Sequence, residues 1–155
     1  IAAIHVKSNR RAMVPLIHPQ AQTGLEAKFS MPYAMAAATL DGHVKLSSFT
    51  DEAVQRPEIR RLMSVVTMEE DEGPVTPRWN IVTVTLKDGT RHEKEIRILR
   101  GSHESPLTEA QLLEKWLDCV EYGGHVDLEQ AFFKHALALG DAPVSDLMRH
   151  LPVIK

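Results

Sequence analysis

The chain has 155 residues, a formal net charge of −3 and one cysteine. That length suffices for one domain with a core of its own or for one and a half small ones, and the slight acidity gives no electrostatic reason to expect nucleic acid or an anionic membrane surface as partner. A single thiol, Cys119, cannot form an internal disulfide, which excludes a stapled secreted scaffold and suits a reducing compartment.

Residues 1 to 7 are short and apolar enough for a strand, with Ile4 and Val6 on one face and His5 and Lys7 on the other. The chain opens directly in this strand at Ile1 rather than at a methionine, so a preceding segment is expected. Residues 8 to 23, punctuated by Pro15, Pro19 and the basic pair Arg10 and Arg11, read as a connector. The stretch from Gly24 to Gly42 then predicts the helix on which the rest of the chain is organised. Ser30 is a good N-cap, Pro32 falls in the first turn where a missing N–H costs nothing, and Gly42 supplies a left-handed end. Its interior is almost all small or apolar, with Met31, Ala34, Met35, Ala36, Ala37, Ala38 and Leu40, a pattern that predicts a buried helix. The polar groups Lys28, Ser30 and Tyr33 stand at its entrance.

Thr50, Asp51 and Glu52 signal a further helix start, and Pro57 opens another turn through Arg60, Arg61 and Leu62. A strand is expected over residues 64 to 68, followed by an acidic surface loop over 69 to 77. Residues 80 to 86 alternate, with Val82, Val84 and Leu86 on one face, and Asp88-Gly89 marks a hairpin. A two-residue loop would oppose those three to Glu95, Glu93 and Arg91. One more loop residue pairs them with Ile96, Lys94 and His92, and the parity of the apolar positions favours this bulged, three-residue form.

The last third is helical. Thr108 and Gln111 form a capping box ahead of the stripe Leu113, Trp116, Leu117 and Val120. Asp127 and Gln130 repeat the box before a second helix that Gly140 ends, and a third helix is expected over residues 145 to 150. Short loops between the strands after residue 64 make the fold class α+β: an antiparallel sheet with helices on one face, followed by C-terminal helices. The organisation expected is an α+β portion over residues 1–104 and a helical portion over 105–155.

The eight histidines lack any recognised metal-ligand spacing, so no metal site is expected. Gly-rich phosphate loops and a nucleophile elbow are missing too. Arg56, Arg60 and Arg61 form a basic patch without interleaved aromatics, which suits a solvated helix face or a carboxylate contact better than nucleic acid. A phenol such as Tyr33, with an ordinary pKa near 10, is a proton or hydrogen-bond donor at neutral pH. Lys28 could add positive charge for an anionic substrate. From chemistry alone, the commoner situation is a buried tyrosine with its hydroxyl satisfied and a surface lysine. No apolar run approaches the roughly 20 residues that span a bilayer, and no signal peptide is visible, so a cytoplasmic protein is expected.

The stretch Glu-Ala-Lys-Phe-Ser-Met-Pro-Tyr-Ala-Met-Ala-Ala-Ala-Thr-Leu-Asp-Gly, residues 26 to 42, resembles the signature of the MmgE/PrpD family. Phe49 to Glu52, Arg56 to Arg60, Thr85 to Gly89 and Ser105 to Thr108 resemble later family landmarks in the right order. The family includes 2-methylcitrate dehydratase, of propionate catabolism, cis-aconitate decarboxylase and iminodisuccinate epimerase. The resemblance implies a lid-like α+β domain, N-terminally incomplete, plus the closing helices that join a large helical domain. By the same resemblance, the large N-terminal helical region and the Lys and His segment that precedes the first strand, and with them most of the catalytic set, are not among these residues. It also implies cofactor-free chemistry on small di- or tricarboxylates, dimers, a catalytic role for Tyr33 and substrate contacts from Lys28 and Ser30. The parent would then be a lyase of the 2-methylcitrate dehydratase type, with this chain alone inactive. The alternative is an isolated lid-like fragment or binding module without catalytic activity of its own.

Overall fold

A computed structural model of the chain describes residues 1–124, 130–138, 140 and 143–149. Two compact units are present, Ile1–Pro106 and Leu107–Lys155. The first holds four strands, β1 (Ala3–Ser8), β2 (Val66–Glu70), β3 (Asn80–Thr85) and β4 (Arg91–Ile96), in the spatial order β2-β1-β3-β4. The α+β class is as expected, but the sheet is mixed rather than antiparallel. β1 runs parallel to β2 and antiparallel to β3, and β3 runs antiparallel to β4. Consecutive strands β2 and β3 are not neighbours, because β1 lies between them. The connection from β1 to β2 carries four helices, and a crossover of that length returns the chain in the direction it left, which a short hairpin cannot do.

Alternation in β1 places Ile4 and Val6 on a buried face, each 1% exposed, opposite Val84 and Val82 of β3. The other face carries His5 and Lys7, which meet Glu69 of β2 at 3.4 and 2.8 Å. At the hairpin the loop has three residues, as expected, but they are Lys87, Asp88 and Gly89. Val82 therefore pairs with Lys94 and Val84 with His92, two residues from the expected register, and Ile96 falls opposite Asn80. Position sets this outcome: the third residue of such a loop takes the left-handed conformation, and Gly89 has φ +88°. Asp88 accepts the amide N–H of Thr90 at 2.9 Å, which closes the turn. β4 is an edge strand whose exposed residues Arg91 to Glu95 are mostly charged, a composition that resists pairing with another chain.

The acidic loop after β2 is tied down from the β1 end. Asn9, 1% exposed, donates to the carbonyl of Val75 and accepts the amide of Trp79 at 3.3 Å. Residues 69 and 70, expected in that loop, instead extend β2, and Glu70 accepts the amides of Met13 and Arg11 at 2.6 and 3.1 Å, which fastens the connector after β1 to β2.

Four helices follow β1: α1 (Gly24–Ala27), α2 (Met31–Asp41), α3 (Asp51–Gln55) and α4 (Pro57–Met63), with a 3-10 turn at Leu46–Phe49. The expected caps form. Ser30 Oγ accepts the Tyr33 amide at 3.2 Å, Thr50 Oγ1 accepts the Ala53 amide at 3.2 Å, and Pro32 and Pro57 occupy first-turn positions. Pro32, Tyr33, Ala36 and Ala37 of α2 are buried, and small side chains there let α2 lie close against α4 and reach β2. Its last turn differs from the expectation of burial all round: Ala38, Thr39 and Leu40 are exposed. The core joins Tyr33, Ala36 and Ala37 to Ala21, Ala27, Val54, Ile59, Leu62 and Met63.

In the second unit, α5 (Glu109–Tyr122) carries the expected capping box. Thr108 accepts the Gln111 amide at 3.3 Å, and the Gln111 side chain accepts the Thr108 amide at 3.0 Å. Helix α6 (Gln130–Leu137) follows, with Trp116 stacked on Phe132 and tilted against Phe133, both at 6.0 Å between ring centres. The expected box at Asp127 lies outside the described residues. α6 ends at Leu137, ahead of the expected stop at Gly140, and α7 (Val144–Met148) starts one residue before the third helix expected. Cys119 is exposed on α5.

Candidate active site

α2 delivers Tyr33 into the centre of the first unit. Its side chain is fully buried, tilted against Phe49 with ring centres 6.0 Å apart, and its hydroxyl donates to the main-chain carbonyl of Ser48. Burial pushes the phenol above its ordinary value, while the guanidinium of Arg56 beside it pulls the other way. The net effect is a phenol that stays protonated at neutral pH and acts as a donor, not as a base.

Ser48 forms part of the wall of an open cleft of about 510 Å³, lined by Asp41, His43, Ser47, Ser48, Glu52, Ala53 and Arg56. Three local features shape it. α2 ends at Asp41 with a left-handed Gly42, the 3-10 turn carries Ser47 and Ser48, and α3 presents Glu52, Ala53 and the following Arg56. The dominant electrostatic contact is a two-pronged one: Arg56 Nη1 and Nη2 donate to Asp41 Oδ1 and Oδ2 at 2.9 and 2.6 Å. Arg56 Nε also donates to the carbonyl of Ala53 at 3.1 Å, which fixes the plane of the guanidinium. Hydrogen bonding from Arg56 holds the Asp41 carboxyl below the usual carboxylate range, against the upward push of burial.

This pair contributes to the acid limb of stability. A carboxyl depressed in the folded state contributes above its ordinary value of 3.8 and loses that contribution as the pH falls through its lower folded value. The thermal midpoint of wild type should therefore fall more steeply below about pH 4 than that of Asp41→Asn. Parallel melting curves across that range check this.

The three site residues expected from sequence do not converge. Ser30 is buried, and its hydroxyl is committed to the cap of α2. Lys28 is exposed at the C-terminal end of α1 and does not line the cleft. Tyr33 stands directly behind the cleft wall, one hydrogen bond from it. Of the basic patch, Arg56 makes the carboxylate contact, Arg60 donates to the carbonyl of Ala21 at 2.5 Å, and Arg61 is solvated. Sequence reasoning missed Asp41. The available signal was an acidic residue at the C-terminal end of a helix, where the macrodipole disfavours negative charge unless a cation is at hand. Among the described residues no group of three or more His, Cys, Asp or Glu side chains could hold a metal ion, and no helix is long and apolar enough to cross a membrane.

A family model described as MmgE/PrpD C-terminal domain matches residues 1–139. Among curated proteins, the cis-aconitate decarboxylase of Homo sapiens is 34% identical over 95 residues, which is 59% of this chain and 20% of that protein. The cis-aconitate decarboxylase of Mus musculus is 32% identical over 94 residues, 59% of this chain and 19% of that protein. The chain thus spans about a fifth of the length of the curated relatives it matches.

Proposed function

This chain belongs to the MmgE/PrpD family, and we propose that it is the C-terminal part of a cofactor-independent lyase acting on small di- or tricarboxylates, of the 2-methylcitrate dehydratase type. The observation that carries this reading is the Tyr33 hydroxyl, a donor at neutral pH like any phenol, bonded at the wall of a cleft that already holds a guanidinium–carboxylate pair. In the reaction, a base on the remainder of the polypeptide removes a proton next to a substrate carboxylate. Once the 3-10 turn that carries Ser48 shifts aside, the Tyr33 hydroxyl exchanges the Ser48 carbonyl for the substrate group that gains negative charge, stabilising it where charge develops. The proton taken by the base is then returned to the departing hydroxide, which leaves as water and completes a dehydration.

A second reading, loss of carbon dioxide, is favoured by one observation: the two curated relatives described above are cis-aconitate decarboxylases. Both readings share the carboxylate substrate and the donor. The homodimer and cytoplasmic location implied by the resemblance belong to the same proposal. The test is a turnover screen of a polypeptide of full family length against 2-methylcitrate, cis-aconitate and iminodisuccinate. Turnover of 2-methylcitrate to its dehydrated product is expected. Product from cis-aconitate alone selects decarboxylation, and a folded polypeptide inert toward all three leaves the binding-module alternative standing.

A further inference from the structure

Arg56 presents a planar fork to a carboxylate, and the carboxylate now in the fork belongs to the chain itself. Arg56 holds Asp41 with two hydrogen bonds, but two features work against that hold. Asp41 is the last residue of α2, where the partial negative charge of the helix end works against it. The pair is also part-exposed, with side-chain exposures of 37% for Arg56 and 19% for Asp41, so solvent weakens the attraction and an external carboxylate can compete. The cleft around it, about 510 Å³, falls within the size range of small-molecule sites, and Ser47 and His43 are among its lining residues.

We propose that Arg56 is the carboxylate-anchoring residue of this cleft and that Asp41 is a placeholder, which a ligand carboxylate displaces by taking the same two N–H groups. The identification of the ligand as a small di- or tricarboxylate rests on the functional reading above; the exchange at Arg56 does not. Because the Nε bond to Ala53 fixes the guanidinium plane, the fork is already oriented before the ligand arrives. Glu52, exposed on the same cleft, limits the charge that the site tolerates. One carboxylate belongs at Arg56, and a hydroxyl or neutral group is favoured toward Glu52.

A merely structural ion pair and a placeholder predict opposite outcomes for one substitution. Asp41→Asn keeps the shape and removes the competing charge. With tricarballylate as probe and calorimetry on the 155-residue chain, Asp41→Asn should bind about tenfold tighter than wild type, the worth of one charge-assisted hydrogen bond no longer opposed. Arg56→Lys keeps the charge but loses the fork, and should bind about tenfold more weakly. In the wild-type chain the Arg56 Nε–Hε resonance and the Ser47 and Ser48 amides should shift saturably with added tricarballylate, a readout that needs no variant to fold. Unchanged or weaker binding by Asp41→Asn, wild-type affinity in Arg56→Lys, no binding by wild type, or a static Arg56 resonance would each overturn the proposal. Saturable binding at Arg56 in a polypeptide inert toward the three substrates would remove the lyase reading and leave this one. Turnover with no response at Arg56 would do the reverse.

Discussion

Tyr33→Phe, in a polypeptide of full family length, should lower kcat by roughly 10²-fold or more, the usual worth of a positioned proton donor. The folded state should lose far less. The ring stays in place against Phe49, and what disappears is a single bond to the Ser48 carbonyl, for a net cost of about 1 kcal/mol, rising toward about 3 where that carbonyl is left buried and unpaired. Tyr33→Ala separates the two effects. It removes the ring from the centre of the first unit, where Tyr33 is fully buried, and large-to-small changes of this kind cost about 3–5 kcal/mol. The phenylalanine variant should therefore melt close to wild type and turn over slowly, whereas the alanine variant should be visibly destabilised. Steady-state rates and melting midpoints of the three proteins check this. A phenylalanine variant with wild-type kcat would confine Tyr33 to packing.

What was legible in the sequence was local. The caps at Ser30, Thr50 and Thr108 and the first-turn positions of Pro32 and Pro57 depend on contacts three or four residues away, so the residue order alone announces them. The two faces of β1 followed from alternation for the same reason. Long-range geometry was not legible. The parallel pairing of β1 with β2 depends on how four helices fold back between them, and the hairpin register turned on which loop position Gly89 must fill. The site divides along the same line. The helix that holds Tyr33 is recognisable from its caps, while the cleft beside it needs Asp41 and Arg56 to meet across the 3-10 turn and α3, which no local pattern encodes. Lys28 and Ser30 are neighbours in sequence, but the chain leaves α1 and enters α2 between them, so one is exposed and the other buried in a cap.

Gly24→Ala should destabilise the first unit by about 3 kcal/mol, at the upper end of what overpacking a filled space costs. A methyl group there would lie 2.1 Å from the Phe49 carbonyl oxygen and 2.6 Å from its carbon, and both are backbone atoms that no rotamer change can clear. Relief requires the segment around Phe49 to move as a body. That segment is fastened to residues 21 to 24 at several points: the Gly24 amide donates to Asp51 at 2.8 Å, Gln55 to the Gln22 carbonyl at 2.6 Å, and Arg60 to the Ala21 carbonyl. Displacement therefore strains bonds to α3 and α4 together. Gly89→Ala is the informative contrast. A methyl group there meets nothing within 4 Å, but the residue holds φ +88°, so its cost is conformational and should be about 1 kcal/mol. The two substitutions should also differ in what they do to the cleft. The carbonyl that accepts the Tyr33 hydroxyl, on Ser48, lies next to Phe49 in the chain, so Gly24→Ala should weaken that bond and shift the Tyr33 ring resonances. Gly89→Ala, at the tip of the hairpin, should leave them where they are. A Gly24→Ala chain with wild-type melting and unmoved Tyr33 signals would mean that the close approach of α1 to the cleft wall is not what holds the wall in place.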